Sequence, residues 1–586
     1  MSFTRRSDWG ELKTTSFMRS LCMGHVEQNL LIPYPSMSTD EKQTLKELIH
    51  SLQEWLSDKG EHFRKWDRAG EFPISYLQEI RDLGLFSLII PETYGGLSLS
   101  TTAYSRILQE LAKYDGATAV TVGAHSSIGM KGLLLFGTEA QKTRYLPAMA
   151  EGKMIAAFCL TEPGSGSDAA SIRTHAKKEK DHWVLQGDKL WITNGGIADF
   201  FTVFAKTDTS DGAMTAFIVT KDMPGVSVGP HEDKMGLRAS STTTVHFDKV
   251  ILKDEYVLGP VGKGFKVAMS ILNSGRTGLG GGCVGSMKHC IELATKQAKQ
   301  RQQFGRPISE FGMIKQKIGQ MVVDCYVSES LVNMVSGLID QGHEDYSVEA
   351  AISKVFASDA LWKTADEALQ IAAGNGFMCD FPYERIVRDA RINRIFEGTN
   401  EILRLYVSLT AMQDVGQELK ELSQSMNNFF QYPIQGLGLF TDYAKRMVHT
   451  MTGLGAKTSF TQLHPSLVEE VQLFEELTRG LTLMVDRLLR KHGKQIMEKQ
   501  FALRRLSEIM IDLFALACTL ARVHQKITEV GVEQSKAEKE ILEIFSGQAR
   551  KRIQSQLNQI DHNDDELIKS LASMTYEKEC FPWDNI

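Results

Sequence analysis

In the stretch RIFEGTNEIL, Arg394 to Leu403, one acid stands in apolar company: Glu397 follows Ile395 and Phe396 and precedes Gly398. The residues after it read as a helix start. Thr399 is the N-cap, Asn400 and Glu401 occupy the first turn, and Ile402, Leu403 and Tyr406 are the apolar positions. That pattern accounts for Thr399 and Glu401 but leaves Glu397 without a structural purpose. A carboxyl group withdrawn from water holds its proton more tightly, which is the property a general base near neutrality needs.

A second set of residues could hold an anion. In FCLTEPGSGSDAAS, Phe158 to Ser171, Pro163, Gly164 and Gly166 make a turn whose backbone amides can face a negative group, and Ser165 and Ser167 add hydroxyl donors. A plain hairpin turn has the same composition. In LWITNGG, Leu190 to Gly196, Trp191 and Thr193 fall on one face of a strand. An aromatic wall beside a hydroxyl suits a flat heteroaromatic cofactor. Gly280, Gly282 and Gly285 match the spacing of a dinucleotide fingerprint, but the preceding VAMSILNSGRTGL reads as helix and turn rather than strand. The basic KQRQQFGR further on lacks a ribose-binding acid.

The elements that position these groups separate by period. From about residue 40 to 152 the pattern is helical, with Leu45, Ile49, Leu52 and Leu56 at three- and four-residue spacing. HWVLQGDKLWITN, DFFTVFAKTD, MTAFIVTKD and STTTVHFDKVIL then read as short strands without intervening helices, which predicts an antiparallel barrel or sandwich over 153–264. Long helical patterns return over 265–415 as a four-helix bundle. Residues 416–465 are looser and 466–586 helical again, while 1–39 form an N-terminal extension. The predicted class is α+β, mostly α.

The 586 residues exceed one ordinary core, and 42% hydrophobic with 24% charged residues is the composition of a globular protein. A net charge of -6 spread over both signs gives nucleic-acid binding little support. No apolar run in the sequence approaches the roughly 18 residues of a spanning helix. The eight cysteines include no Cys-x-x-Cys pair, so neither a zinc site nor a disulfide framework is expected. The N-terminal MSFTRRSDWGELKTTS reads as neither a secretory signal nor a transit peptide. A reducing compartment follows: the cytoplasm in a bacterium, the mitochondrial matrix or inner-membrane surface in a eukaryote.

TEPGSGSD, WITNGG, QRQQFG, QIAAGNGF and IFEGTNEIL occur in the order and at the spacing of the acyl-CoA dehydrogenases, FAD-dependent flavoproteins that this chain resembles from about residue 40 to 415. The tail beyond Val415 resembles that of the very-long-chain branch and its relative associated with complex I assembly. The resemblance implies that Phe158 to Ser167 border the flavin and its pyrophosphate, with Thr161 near the ring, Gly166 in the turn, and Ser167 reaching both cofactor and CoA. Trp191 would lie against the isoalloxazine and Thr193 near its N5. Arg301, Phe304 and the segment Gln370 to Gly374 would hold the adenine end, across a dimer interface. Thr399, Asn400 and Glu401 would clamp the pyrophosphate at a helix N-terminus. Ala372 and Ala373 depart from the family pattern, as do Gly280 to Gly282 in a helix usually rich in alanine.

In this family the acid of the FEGT motif is the catalytic base, and some members carry it instead just before an arginine of the helix after the β-domain. Here that stretch is NSGR, with Gly275 before Arg276, so Glu397 is the implied base. Arg276 would steady the carboxylate, and Asn273, Phe396 and Gly398 would border the substrate. Glu397 would take the α-proton of an acyl thioester while the β-hydrogen leaves as hydride to FAD. Gly123 and Ala124 in AVTVGAHSSIG fall where the acyl pocket ends, which suits a long chain. The expected reaction is acyl-CoA to trans-2-enoyl-CoA, with electrons passed to electron-transferring flavoprotein, in a homodimer. An acyl-CoA oxidase and a weakly catalytic assembly scaffold are the alternatives. Phe429, Phe430, Tyr432, Leu437, Leu439 and Phe440 could touch a membrane peripherally, or pack on their own domain.

Overall fold

A computed structural model describes residues 16–207, 213–427 and 460–584. The contacts divide the chain into two units. One holds Tyr34–Ile402; the other combines the helix Phe17–Cys22 with the chain from Leu403 onward, so that the stretch expected as one extension over 1–39 divides at Pro33.

The first unit opens with the helices Thr39–Ser57, Gly60–Ala69, Ile74–Asp82 and Thr101–Tyr114. Ser38 and Ser100 cap two of them by accepting from the amides of Glu41 and Ala103 at 3.2 and 3.1 Å. The apolar positions read at three- and four-residue spacing, Leu45, Leu52 and Leu56, are buried with Phe63 and Tyr76.

Eight strands follow: β1 Ala156–Cys159, β2 His175–Glu179, β3 His182–Thr193, β4 Phe200–Thr207, β5 Met214–Thr220, β6 Val226–His231, β7 Thr242–Lys253 and β8 Val257–Leu258. They form one sheet in the order β6-β7-β3-β2-β4-β5-β8, with β1 also on β4. Two features differ from the antiparallel barrel expected. The path runs from β6 to β8 without closing, and β1 and β2 both pair with β4 in parallel. The cause is the 15-residue connection 160–174, which is long enough to return the chain in its original direction where a hairpin would reverse it. Strand β4 is apolar on both faces because it lies between two cores. Phe200 and Phe204 meet Met130, Leu133 and Ile271, whereas Phe201 and Val203 meet Leu185, Phe217 and Phe247.

The bundle helices Gly264–Gln300, Gly312–Asp340 and Ser347–Ala372 pack through Cys283, Met287, Met321, Val332, Ala357 and Leu361. Gly264–Gln300 runs without a break where VAMSILNSGRTGL and its glycines suggested a turn. A Cβ at Gly285 would strike the Gln109 carbonyl and one at Gly281 would strike Ser105. The glycine cluster is therefore a seat for the helix Thr101–Tyr114, and the dinucleotide spacing is incidental. Two helical stretches, Gly116–Phe136 and Gly312–Asp340, are long and apolar enough to cross a membrane by length and composition, beyond what run lengths suggested. Each has 67% of its apolar window buried inside the protein, as core helices do.

In the second unit, Val468–His492, Gln500–Val530 and Lys536–Gln559 share a core of Phe474, Leu481, Leu513, Phe514, Leu542 and Phe545. Phe17 meets Phe514 at 6.0 Å between ring centroids, and Arg505 holds Asp565 through two bonds of 2.6 and 2.7 Å at the start of the helix Asp565–Lys578. The apolar stretch Phe429 to Phe440 lies outside the described residues.

Candidate active site

Glu397 sits on a tight turn before the helix Asn400–Ala411, with φ of 55° at Glu397 and 93° at Gly398. Left-handed backbone suits glycine but costs a residue with a Cβ about 1 kcal/mol or more, so the surrounding contacts must hold it. They do so from three sides. Arg276 Nε donates to the Glu397 carbonyl at 3.5 Å, Lys354 Nζ donates to the Gly398 carbonyl at 2.8 Å, and Thr399 caps the helix by accepting from the Ile402 amide at 3.3 Å. Arg276 also donates to Asn273 Oδ1 at 2.6 Å, and it steadies the turn through its backbone while its charge favours the carboxylate from a distance.

The carboxylate itself is left without a bond at Oε2, which is buried. Burial pushes the carboxyl up to about 7 against the pull of the Arg276 and Lys354 cations. Gly275 explains the room beside it: a Cβ there would lie 2.8 Å from Ile128 Cγ2 and 3.3 Å from Glu397 Oε2. The two positions from which the family draws its base face each other, and only one carries an acid.

Around 160–174 another acid does the opposite work. Glu162 accepts from Lys189 Nζ at 2.7 Å and from the amides of Arg173 and Thr174 at 2.5 and 3.0 Å. Lys189 is fully buried and also donates to the Leu160 carbonyl at 3.1 Å. Burial raises the Glu162 carboxyl, but the Lys189 charge and these bonds outweigh it and the carboxyl ends below its ordinary range. The lock leaves Gly166 and Ser167 exposed at the loop surface. The Leu190 amide donates to the Thr161 carbonyl at 2.9 Å, joining loop to strand.

Trp191 and Thr193 share a face as alternation predicts, but that this is the outer face depends on a bulge. The β3–β7 register shifts between Lys189 and Ile192, and Trp191 takes φ of 56°. This bulge carries the core face from odd residues (Trp183, Leu185, Lys189) to Ile192, and aims Trp191, 63% exposed, outward with Thr193.

Sequence profiles of the acyl-CoA dehydrogenase N-terminal, middle and C-terminal domains match residues 40–153, 157–250 and 262–411, and that of the ACAD9/ACADV C-terminal domain matches 465–580. The chain is 41% identical over 96% of its length to the very long-chain specific acyl-CoA dehydrogenase, mitochondrial, of Macaca fascicularis, covering 87% of that protein. The chain belongs to the acyl-CoA dehydrogenase family. A solved acyl-CoA dehydrogenase complexed with FAD from Bacillus anthracis superposes with a TM-score of 0.78 at 32% identity, covering 96% of both chains. Butyryl-CoA dehydrogenase from Megasphaera elsdenii superposes with a TM-score of 0.61 at 36% identity over 64% of this chain and 98% of that one.

An acyl-CoA dehydrogenase uses FAD, and the residues here fit it. Gly164, Gly166 and Gly374 have nothing within 4 Å of the place a Cβ would occupy, so the loop and the helix end both present open backbone. Phe158 lies half-buried against Phe204 at 5.0 Å between ring centroids. Arg301 ends the helix Gly264–Gln300, and Phe304 stands 91% exposed on the hairpin Gln302–Gln303/Arg306–Pro307. Gln370 and Gly374 are exposed around Ala373, which takes φ of 52° despite its Cβ. Asn400 can take part in the expected clamp through its backbone only. Its side chain is fully buried, bonded by Lys354 at 2.9 Å and donating to Ser358 and Asp359 at 3.0 Å, so only its backbone can serve an anion beside Thr399 and the exposed Glu401.

Gly123 ends the helix Gly116–Gly123. A Cβ there would touch Leu108 at 3.8 Å and the Tyr104 hydroxyl at 4.0 Å. Phe396 is half-buried beside Glu397. Sequence reasoning missed Lys354, Lys189, Glu162 and Tyr104. Their only signal was polarity within otherwise apolar patterns, such as the lysine of AAISKVFA.

Proposed function

We propose that this acyl-CoA dehydrogenase acts on long-chain acyl-CoA and forms the trans-2-enoyl-CoA, with Glu397 as the base. The observation that carries the reading is the buried, unbonded Glu397 Oε2 on a left-handed turn, with its carboxyl pushed up to about 7. Such a group is a carboxylate for much of its time at neutral pH, yet basic enough to accept a carbon-bound proton. FAD, when bound, supplies the acceptor for the β-hydrogen and its electron pair. This chain's part is to hold Cα at Glu397, to keep water from the carboxylate, and to offer the Glu397 amide to the thioester oxygen as charge grows there. Asn273, Arg276, Phe396 and Gly398 border the reacting end, and Ser167 serves the CoA side. Trp191 and Thr193 flank the flavin ring, with Phe158 and Thr161 beside them.

A long acyl chain is supported by Gly123, whose missing side chain leaves space between Leu108 and Tyr104, and by the very-long-chain specificity of the 41%-identical relative. Electron-transferring flavoprotein as acceptor is supported by the exposed Trp191, an aromatic beside the ring that a docking protein can reach. A homodimer is supported by the 91% exposure of Phe304 next to Arg301. A second subunit would cover that ring and complete the adenine end with Gln370 and Gly374.

An anaerobic titration of the flavin absorbance with palmitoyl-CoA, on the wild type and on Glu397→Gln, tests the reading. Bleaching is expected in the wild type and not in the variant. A wild type that holds FAD but never bleaches with an acyl-CoA of any length would leave the assembly scaffold as the reading.

A further inference from the structure

Lys354 lies in the N-terminal third of the helix Ser347–Ala372 with no exposed surface, among Ala350, Ala351, Val355 and Ala357. A buried ammonium is expensive unless it is bonded and balanced by charge. Its bonds are to two neutral oxygens, the Gly398 carbonyl at 2.8 Å and Asn400 Oδ1 at 2.9 Å. Its charge is balanced chiefly by Glu397, more than by Asp359, and is opposed by Arg276.

We propose that Lys354 is a positioning residue for dehydrogenation: it clamps the turn that carries Glu397 and stabilises the carboxylate from a distance, leaving Oε2 free for the substrate proton. The inference rests on the reading of Glu397 as the base. The clamp is one half of a pair. Arg276 takes the carbonyl on the near side of Gly398 and Lys354 takes the carbonyl on the far side, so the two left-handed residues are anchored at both peptide groups. Had Lys354 bonded the carboxylate directly, the acid would have become a locked ion pair of the Glu162 kind.

The groups facing Glu397 come from three helices. Arg276 and Cys283 belong to Gly264–Gln300, Lys354 and its neighbour Asp359 to Ser347–Ala372, and Tyr104 to Thr101–Tyr114. Among them, Lys354 and Arg276 are the cations that favour the carboxylate. Burial pulls the Lys354 ammonium down to about 8, so it is charged over the range in which Glu397 ionises.

The test is the pH dependence of flavin reduction by palmitoyl-CoA, followed by anaerobic stopped flow in FAD-loaded Lys354→Gln and Lys354→Arg. Gln keeps a donor for the Gly398 carbonyl but no charge; Arg keeps the charge. For Lys354→Gln the rising limb should move up by about one pH unit, so the rate at pH 6.5 falls about tenfold and recovers to within about threefold at pH 9. For Lys354→Arg the limb should stay with that of the wild type. A Gln limb that coincides with the wild type's overturns the inference, as does an Arg limb that moves as far as the Gln limb. Failure of both variants to hold FAD also overturns it, by making Lys354 a folding residue. Glu397→Gln, measured in parallel, separates the two levels: if it still reduces its flavin, the base assignment itself falls.

Discussion

Two glutamates in this protein, one buried and one half-buried with an enclosed Oε2, each keep company with a fully buried lysine, and they end in opposite states. Glu162 takes the lysine directly: Lys189 Nζ lies 2.7 Å from its oxygen, two backbone amides complete the shell, and its carboxyl is held below the ordinary range. Glu397 does not. Lys354 bonds a carbonyl and an amide oxygen next door, one carboxylate oxygen has no partner, and the carboxyl rises to about 7. The same two residue types make a structural lock in one place and a proton acceptor in the other. In Glu162 the adjacent Lys189 charge and the hydrogen bonds outweigh burial, whereas in Glu397 burial outweighs cations that stay at a distance.

The largest way to break the contrast is to remove the reactive acid. Glu397→Gln should slow flavin reduction by about 10³-fold or more while FAD stays bound, as read by anaerobic stopped flow. The lock should respond in stability. Lys189→Met leaves Glu162 buried without its cation and should cost about 3–5 kcal/mol, read as a lower unfolding midpoint and weaker retention of FAD. Those molecules that keep FAD should react with the wild-type pH profile. A shifted profile in Lys189→Met would erase the distinction.

Acid-base linkage gives a third effect, of opposite sign to the second. The folded state raises the Glu397 carboxyl from an ordinary 4.5 to about 7, so this group's contribution to stability is present at acid pH and is lost as pH rises through 7. Glu397→Gln should therefore be more stable than the wild type at pH 8, by up to about 3 kcal/mol, and nearly equal to it at pH 4.5. Thermal melts at the two pH values check this. The smallest effect concerns the acyl wall. Gly123→Leu should fill the space beside Leu108 and Tyr104 and lower kcat/KM for palmitoyl-CoA about tenfold relative to hexanoyl-CoA.

Glu397 is legible in the sequence because a helix-start pattern explains each neighbour and leaves it over, and because Gly275 empties the alternative position. The anion-facing turn at Pro163 to Gly166 is legible from its composition. Lys354 is not. A lysine in an amphipathic helix is normally read as solvent-facing, and only the tertiary fold encloses the stretch Val348–Val355 of the helix Ser347–Ala372 on every side. The bulge at Leu190–Trp191 is hidden as well, since WVLQGDKLWIT keeps an unbroken strand composition through the register shift. The parallel placing of β1 and β2 on β4 could not be read from strand patterns, which carry face alternation but not partner or direction. The helix through Gly280–Gly285 is loosened by propensity, and survives because its glycines are packed, Gly280 against Val332, Gly281 against Ser105 and Gly285 against Gln109.

The protonation of Glu397 can be observed directly by infrared difference spectroscopy of the FAD-loaded protein, wild type minus Glu397→Gln, titrated from pH 5 to 9. A protonated carboxyl band that disappears with a midpoint near 7 is expected, with no matching band in wild type minus Glu162→Gln. A Glu397 band with its midpoint near the ordinary 4.5, or a Glu162 band that titrates near 7, would contradict the assignment of base and lock.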